Sequence, residues 1–249
     1  MSSTRYTDGY ARPSLAADIA LFTLINGELH LLLIERGQEP FKGHWALPGG
    51  FVQEYEPILD CARRELEEET GFRAALLEQF GIFDRKGRDP RGWYISIAFM
   101  AMTSEADTSL SAGTDAADTR WFPVSRLPDN LAFDHEEIIA CALTELRIRA
   151  ERFDLSILRP LFALLPEQFT LTQLQEAFDA IKGVNPEDEN QESDKRNFRK
   201  RILAADIVEA VPGAMLRGKH RPAQLYTSRL KRVFQTAPAP SSEDQSQSA

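Results

Sequence analysis

The segment from Gly50 to Phe72, GFVQEYEPILDCARRELEEETGF, constrains the fold more than any other part of the chain. Pro57 suits a first helical turn, where its missing N–H would have no partner anyway. Gly71 stands where a helix favours a left-handed cap. Between these two residues, apolar side chains recur at helical spacing along one flank: Ile58, Leu59, Ala62 and Leu66. The segment therefore predicts a glycine-containing loop, an amphipathic helix and a defined helix end.

Three glutamates, Glu65, Glu68 and Glu69, lie beside that apolar flank at positions i, i+3 and i+4. Carboxylates this close repel one another and raise one another's pKa values. A hard divalent cation such as Mg²⁺ or Mn²⁺ offsets this repulsion, because it prefers oxygen ligands and bridges to substrate phosphates. A solvated acidic helix face is the simpler interpretation, but other charged residues already occupy the outward side of the helix. The spacing thus favours a metal site.

The same segment resembles the Nudix box without a departure. The box requires Gly50, then Glu56, then the run Arg64-Glu65-Leu66, then Glu68-Glu69, and finally Gly71 followed by an aliphatic or aromatic residue. With average residue usage, a chance match at one site is on the order of one in 10⁸. The resemblance implies a Nudix α/β/α sandwich and hydrolysis of a diphosphate that is linked to another group.

The resemblance also implies roles for individual residues. Glu65, Glu68 and Glu69 would hold the metal together with the Gly49 carbonyl, and these glutamates and Arg64 form the catalytic set. Arg64 would orient a glutamate through a charge-assisted hydrogen bond. Glu56 would brace the loop against the helix. The general base stays open among three acidic residues of a later loop, which are Glu105, Asp115 and Asp118.

The composition of the 249-residue chain, 43% hydrophobic and 27% charged, is typical of a soluble globular protein. Its two cysteines suggest no disulfide framework, which indicates the cytoplasm. There is no apolar run long enough to cross a bilayer, so no membrane partner is expected. The N-terminal residues lack the pattern of a secretory signal. The two cysteines, Cys61 and Cys141, fall on predicted helices and are expected to be buried thiols.

The net charge of −9 conceals an asymmetry along the chain. Residues 1–194 carry 18 Lys and Arg against 34 Asp and Glu, which is a net charge of −16. Residues 195–234 carry 11 against 2, which is a net charge of +9. A short basic segment on an acidic protein indicates that this segment alone has a polyanionic partner.

The first part of the chain predicts one α/β layered domain, residues 1–153. Two strands, 15–25 and 28–35, flank the strong hairpin signal Asn26-Gly27. After the Nudix helix come strands at 75–83, 93–102 and 119–122 and an amphipathic helix at 133–153. The end of that last helix is the expected hinge to the second domain.

The second part predicts a winged helix-turn-helix domain, residues 154–234, followed by a disordered tail, residues 235–249. A short helix at 159–165 precedes a helix that Thr170 or Thr172 caps, since each has Gln three residues on. Asp194 is expected to cap a third helix, Lys195–Val208. A basic hairpin with a strand at 224–226 completes the domain. The predicted fold class is thus α+β, a Nudix sandwich with a C-terminal winged helix.

The basic residues of the second domain predict its DNA contacts. One face of the third helix carries cations opposite an apolar side that can bury, as a recognition helix in the major groove requires. The hairpin would be the wing, which reaches the backbone or the minor groove. The predicted DNA-binding residues are Lys195, Arg196, Asn197, Arg199 and Lys200 on the helix, and Arg217, Lys219, His220 and Arg221 on the wing.

Several segments resemble a second, narrower family. FTLTQLQ, DKRNFRKRIL and RPAQLY are similar to the winged-helix domain of the bacterial Nudix-related transcriptional regulators of NAD metabolism, the NrtR family. EPFKGHWALPGGFV and RDPRG resemble the same family and its ADP-ribose pyrophosphatase relatives. Together the resemblances cover nearly all of residues 12–226. They imply a homodimer whose Nudix domain senses ADP-ribose and whose winged helices bind a double-stranded operator.

One departure from that family bears on catalysis. Many of its members have a degraded Nudix box and no hydrolysis, whereas the box of this chain is intact. The chain is therefore expected to keep metal-dependent ADP-ribose diphosphatase activity. A housekeeping ADP-ribose pyrophosphatase with an accessory C-terminal domain is an alternative. A sugar-responsive Nudix regulator is another, although a sugar without phosphate needs no metal cage.

The ligand contacts are expected from arginines and aromatics of the first domain. Arginine pairs bidentately with phosphate, so the predicted substrate-binding residues are Arg36, Arg85, Arg88 and Arg91, together with Gly50 of the motif. Phe41 or Trp45 could stack on adenine, or both could be core aromatics. His135 is interpreted as a local cap or packing residue, because no other metal-binding side chain neighbours it in sequence.

Overall fold

The computed structural model describes residues 11–73, 76–104, 116–152, 160–183, 191–217 and 222–230. Within its described ranges, the N-terminal part of the chain contains seven strands and two helices. In chain order they are β1 (Ser14–Ile25), β2 (Glu28–Arg36), β3 (Trp45–Ala46), β4 (Gly49–Phe51), α1 (Ile58–Thr70), β5 (Glu78–Phe83), β6 (Tyr94–Met102), β7 (Ala116–Pro123) and α2 (His135–Arg152).

The strands form one mixed sheet in the order β3-β2-β1-β6-β5, with β4 paired to β1 and β7 paired to β2. The β1–β2 hairpin turns at Asn26 and Gly27, whose φ angles of 52° and 80° are both positive. Two positive φ angles define the turn type that Asn-Gly favours, so the predicted hairpin is confirmed. β1 runs parallel to β6 and antiparallel to β2, which places it in the middle of the sheet.

The two helices cover opposite faces of the sheet. Alternate residues of a strand point to opposite faces. Ile19 and Leu21 of β1 accordingly pack in a core with Leu66 of α1, whereas Ala20 packs in a core with Ile138 of α2. The predicted α/β/α sandwich is confirmed.

Helix α1 follows the local signals of its sequence. It begins at Ile58, directly after Pro57, and it ends at Thr70. Gly71 caps it in the left-handed conformation, with φ 75°, and its N–H donates to the Glu67 carbonyl. The face towards the sheet buries Cys61, Ala62, Leu66 and Thr70.

The C-terminal part of the chain begins with a 3₁₀ turn, Phe162–Leu164, and continues with α3 (Leu171–Lys182), α4 (Gln191–Ala204), β8 (Val208–Leu216) and β9 (Ala223–Ser228). Thr170 caps α3 through a reciprocal capping box with Gln173. Strands β8 and β9 pair as an antiparallel hairpin, and Tyr226 exchanges two backbone hydrogen bonds with Phe169. Helices followed by this hairpin form the predicted winged helix.

Two predictions from the sequence are wrong. The third helix of the second domain was expected at Lys195–Val208 with Asp194 as its cap, but α4 spans Gln191–Ala204, so Asp194 lies inside it. Val208 instead lies in β8, where it pairs with Ser228 of β9 and is buried. A β-branched residue at this position gains more stability from the sheet than from a frayed helix end. Cys141 is exposed, because it lies on the outward side of α2 next to the buried Ala142.

Some predicted features lie outside the described residues. They are the start of the strand at 75, the acidic residues Glu105 and Asp115, the hinge at 154–159, the wing residues Lys219, His220 and Arg221, and the tail. Among the residues that are described, no helix is both long and apolar enough to cross a membrane.

Candidate functional site

A cavity of about 410 Å³ opens beside β4, between α1 and the first turn of α2. Its walls come from strands, loops and both helices of the N-terminal domain. They are Ala16, Asp18, Ile34, Arg36, Gly37, Gln38, Glu39, Leu47, Gly49, Gly50, Phe51, Glu65, Glu69, Arg88, Asp89, Arg91, Tyr94, Phe133 and His135. Both signs of charge therefore face the same cavity.

Gly49 and Gly50 form the floor next to α1. Gly49 pairs with Asp18 across β1 and β4, and a Cβ at Gly49 would collide with the carbonyl oxygen of Ala17. A Cβ at Gly50 would collide with the carboxylate of Glu65. Only glycine allows the backbone of β4 to approach both β1 and the glutamates this closely.

Two of the three predicted glutamates reach this cavity. Glu69 accepts a hydrogen bond of 2.8 Å from the Gly49 N–H, and burial raises the pKa of Glu69 to about 8. Burial also raises the pKa of Glu65, although the adjacent Arg64 acts in the opposite direction. The Glu68 side chain is 59% exposed and pairs with Arg64 at 3.2 Å, outside the cavity. Within the described ranges, no three His, Cys, Asp or Glu side chains converge as a metal site.

Arg64 connects the loop before α1 with the glutamates on it. Its Nε and Nη2 donate to the two carboxylate oxygens of Glu56 at 2.7 and 2.9 Å. Its Nη1 donates to Glu65 at 2.6 Å, which fixes the position of that carboxylate. The hydrogen bonds from Arg64 and from the Gln53 N–H lower the pKa of Glu56 to about 2. The catalytic role of Arg64 stays a prediction.

The four predicted ligand arginines have three different environments. Arg36 and Arg91 line the cavity, and burial lowers the pKa of Arg36 with a further contribution from Arg91. Arg85 lies outside the cavity, where its exposed side chain pairs with Glu137 at 3.0 Å. Arg88 touches the cavity, but its guanidinium is 6% exposed and already paired with carboxylates.

The Arg88 pairing is a buried charge network. Arg88 donates to both carboxylate oxygens of Asp134 at 2.8 and 2.9 Å and lies 3.4 Å from Asp18. Asp18 also accepts a hydrogen bond of 2.5 Å from Ser96. Burial acts against the charge of Arg88, but these carboxylates outweigh it, so its pKa is raised. Arg88 therefore anchors the start of α2 to β1 and is not free to pair with a ligand.

The aromatic side chains that line the cavity are Phe51, Tyr94 and Phe133, and the two that the sequence favoured are not among them. Trp45 packs edge-on against Phe122, with ring centroids 4.7 Å apart, and Phe41 packs in the same way against Phe133 at 4.8 Å. Neither Trp45 nor Phe41 lines the cavity. Phe133 does, and the guanidinium of Arg36 lies over its ring, 4.7 Å from the centroid.

Sequence reasoning assigned no role to Asp18, Phe133 or Asp134 and only a local cap or packing role to His135. Three of them form the run Phe133-Asp134-His135 directly before and at the start of α2, and Phe133 has a positive φ of 55°. A bulky residue is uncommon in that conformation, which Phe41 and Tyr55 share, and it marks a turn or local strain. The sequence feature that could have indicated these residues was a polar run at the N-terminus of a helix. The remaining candidate base, Asp118, is partly exposed, pairs with Arg120 at 2.8 Å and does not line the cavity.

A second surface lies on α4. Lys195, Arg196, Asn197, Arg199 and Lys200 are all exposed. On the opposite side, Phe198 and Ile202 are buried, and Phe198 packs on Phe178 of α3 with ring centroids 5.1 Å apart. Arg199 donates to Thr172 at 3.0 Å, which ties α4 to the start of α3. Arg217 is exposed just after β8. The helix thus presents cations outward while an apolar face holds it in the domain.

Comparison with known proteins identifies both parts of the chain. The NUDIX domain family matches residues 15–141, and the NrtR DNA-binding winged helix domain family matches residues 161–228. The chain is 34% identical over 225 residues to the ADPR responsive transcriptional repressor NtrR of Acinetobacter baylyi, which covers 89% of this chain and 84% of that protein.

Two further relatives resemble different portions of the chain. An ADP-ribose pyrophosphatase of Methanocaldococcus jannaschii is 41% identical over 130 residues, which covers 52% of this chain and 73% of that protein. The crystal structure of Shewanella oneidensis NrtR complexed with a 27mer DNA has a TM-score of 0.68 and 28% sequence identity, and it covers 87% of this chain and 94% of that chain.

Proposed function

Because the chain belongs to the NrtR-type Nudix-related transcriptional regulators, we propose that it is an ADP-ribose-responsive repressor that also hydrolyses ADP-ribose. One observation carries the proposal. A single chain holds a cavity in which buried glutamates face two arginines, and it also presents an exposed cationic helix on a winged-helix domain. The relatives that respond to or cleave ADP-ribose support the choice of ligand.

The cavity suits a nucleoside diphosphate joined to a sugar. Arg36 and Arg91 line the cavity beside the buried Arg88, and both stay partly exposed although Arg91 also pairs with Asp89 at 2.6 Å. A guanidinium pairs well with phosphate oxygens. Phe133 lines the same cavity, with Arg36 4.7 Å and Arg91 5.4 Å from its centroid, and a base would stack on this ring beside the two guanidinium groups. The proposed stacking residue is therefore Phe133, and not Phe41 or Trp45. The proposed phosphate-binding arginines are Arg36 and Arg91, and not Arg85 or Arg88.

A divalent metal fits the donor set of this cavity. Glu65 and Glu69 are largely withdrawn from water and both have raised pKa values, so a cation beside them would offset the free energy of holding two buried charges. The missing side chain of Gly50 leaves the space that the Glu65 carboxylate occupies beside β4. Glu65, Glu69 and the Gly49 carbonyl would hold Mg²⁺ or Mn²⁺, and Glu68 would stay with Arg64 on the surface.

The bound metal would neutralise the diphosphate and lower the pKa of a coordinated water. The residues of the chain have the other tasks. Arg64 holds Glu65 in place through its 2.6 Å hydrogen bond, and Gly49 holds Glu69 through its N–H. Arg36 and Arg91 would bind the phosphates and stabilise charge that develops on the leaving group. The products would be AMP and ribose 5-phosphate.

The winged-helix domain would bind a palindromic operator as part of a homodimer. The α4 residues that would enter the major groove are Lys195, Arg196 and Lys200. Arg199 donates a hydrogen bond to Thr172. In a symmetric dimer the two recognition helices must lie roughly 34 Å apart to read one DNA turn. We propose that residues 1–153 and 154–234 form the two domains and that residues 235–249 form the tail. The proposed location is the cytoplasm, where the operator is found.

Two measurements test the proposal. Purified protein with Mg²⁺ is incubated with ADP-ribose, and the release of AMP is measured for the wild type, Glu69→Gln and Glu68→Gln. Glu69→Gln should lower the rate by about 10²-fold or more, on the scale of losing a principal transition-state stabiliser. Glu68→Gln should change it much less, because Glu68 lies outside the cavity. A wild type that binds ADP-ribose and releases no AMP would be a sensor only.

The second measurement is operator binding by gel shift on the DNA upstream of the gene, without Mg²⁺ so that ADP-ribose persists. ADP-ribose should weaken operator binding, and the operator should weaken ADP-ribose binding by the same factor, because coupling between two binding sites is reciprocal. Hydrolysis combined with an operator affinity that saturating ADP-ribose leaves unchanged would point to a pyrophosphatase with an accessory domain instead.

A further inference from the structure

We propose that His135 is a positioning residue, which holds the Leu47–Gly50 segment against the two cavity glutamates by accepting a hydrogen bond from the Leu47 N–H. The inference rests on the proposed function, since it concerns the placement of groups in the same cavity. His135 lies outside the Nudix box and is 88 residues from Leu47 in sequence.

The contact itself is short and buried. The Leu47 N–H donates to His135 Nδ1 at 2.8 Å, and the side chain of His135 is 5% exposed. Because Nδ1 accepts, the proton of the neutral ring must lie on Nε2. Burial lowers the pKa of His135, which keeps the ring in this neutral form.

The segment contains Pro48, Gly49 and Gly50, so the buried Leu47 is its one large anchoring side chain, and β4 pairs with β1. Three further hydrogen bonds hold its backbone. His135 binds the Leu47 N–H, the Ile19 N–H donates to the Pro48 carbonyl at 2.8 Å, and the Gly49 N–H donates to Glu69 at 2.8 Å. The first comes from α2, the second from β1 and the third from α1, so the segment is fixed from three directions.

His135 is itself held in place. Its Nε2 lies 3.6 Å from a carboxylate oxygen of Asp18, whose other oxygen accepts a hydrogen bond from Ser96. The preceding residue, Asp134, accepts hydrogen bonds from Nε and Nη2 of Arg88. A ring that is hydrogen-bonded at Nδ1 and faces the Asp18 carboxylate with Nε2 can set the position of the peptide that it binds. Partners of this kind, one step behind the ligand-binding groups, are worth about 10- to 100-fold in metal affinity or activity.

Two substitutions separate this role from ordinary packing. In His135→Asn, the amide oxygen lies near the position of Nδ1 and can still accept from Leu47. In His135→Gln, the longer side chain places its amide near Nε2, so the contact with Asp18 is kept and the Leu47 N–H loses its acceptor. His30→Leu is the matched control, because it removes another buried histidine, which hydrogen-bonds to the Glu28 carbonyl and does not line the cavity.

Three readouts are taken on the full chain. They are backbone amide exchange at Leu47 and Gly49, the affinity for Mn²⁺ alone by electron paramagnetic resonance, and kcat and KM for ADP-ribose. We expect His135→Gln to raise exchange at Leu47, to weaken Mn²⁺ binding and to lower kcat, each by about 10-fold or more, with KM within about twofold. His135→Asn and His30→Leu should stay close to the wild type.

The proposal is overturned if His135→Asn and His135→Gln have the same exchange and Mn²⁺ affinity, or if His30→Leu causes an equal loss. If the wild type does not hydrolyse ADP-ribose, the enzymatic part of the proposed function fails, and exchange and Mn²⁺ affinity still decide the role of His135. If His135→Gln does not fold, His135→Asn decides: wild-type exchange at Leu47 supports the role, and faster exchange refutes it.

Discussion

Glu69 should make the stability of the metal-free protein fall as the pH rises from about 4.5 to about 8. Burial raises the pKa of Glu69 to about 8, with additional contributions from Glu65 and Asp18, against a value of 4.5 for the free side chain. Between these two values the folded protein keeps a proton that the unfolded chain has lost. Stability therefore decreases with rising pH across this interval and is unaffected by Glu69 below it.

The magnitude follows from the width of the interval. At about 1.4 kcal/mol for each pKa unit, the step from 4.5 to about 8 corresponds to at most about 5 kcal/mol. The cavity is open to water and Arg36 lies nearby, so relaxation will reduce this value, and we expect about 2–4 kcal/mol. That is a large part of the 5–15 kcal/mol that is typical of a folded domain.

The assay is urea unfolding at pH 5, 6.5 and 8, with a chelator and again with excess Mg²⁺. Glu69→Gln cannot ionise, so the difference between the wild type and this variant isolates Glu69 from all other titrating groups. The difference should change by about 2–4 kcal/mol from pH 5 to pH 8 without metal, and Mg²⁺ should remove most of it. Glu68→Gln is the control, because Glu68 is exposed. Equal pH slopes for wild type and Glu69→Gln would refute the reasoning.

Two further predictions concern the arginines. Arg196→Ala should weaken operator binding by about 1–3 kcal/mol if the side chain reads a guanine, and hydrolysis should not change. Arg63→Ala, which removes an exposed charge from α1, is the control. An equal effect of both substitutions would mean that Arg196 contributes to operator binding only through non-specific electrostatics. Arg88→Met should destabilise the fold by about 3–5 kcal/mol, because it leaves two buried carboxylates without their cation. Arg85→Met should stay within about 0.5 kcal/mol in the same urea titration; similar losses for both would contradict the buried network.

The features that the sequence predicts correctly are those with local causes. Pro57 and Gly71 set the bounds of α1 by backbone preference alone, and Asn26-Gly27 sets the first hairpin in the same way. Thr170 and Gln173 close a capping box within four residues. The family resemblance adds the arrangement of these elements, because the Nudix box is one continuous segment.

The features that the sequence does not predict depend on contacts between distant residues. Arg88 looks like a free phosphate ligand in RDPRG, but its two carboxylate partners lie 46 and 70 residues away. The burial of Phe133 beside Arg36 likewise requires the folded sheet. The end of α4 is decided by the pairing of Val208 with Ser228 and not by helix propensity. Periodicity and motif spacing carry no information about such pairs.

The position of α2 bears on how a ligand could affect the DNA-binding domain. Its first residue, His135, lines the cavity, and its buried Leu146 and Ala150 belong to the same hydrophobic core as Phe178 and Phe198 of the winged-helix domain. The sequence places a hinge after this helix, at residues that the structure does not describe. Whatever their conformation, a rotation of the winged helix relative to α2 must break part of that shared core. A rotation together with α2 must instead strain the ion pairs at its N-terminus, beside the ligand cavity. Because packed cores favour discrete arrangements over continuous deformation, either route makes α2 the element on which both sites act.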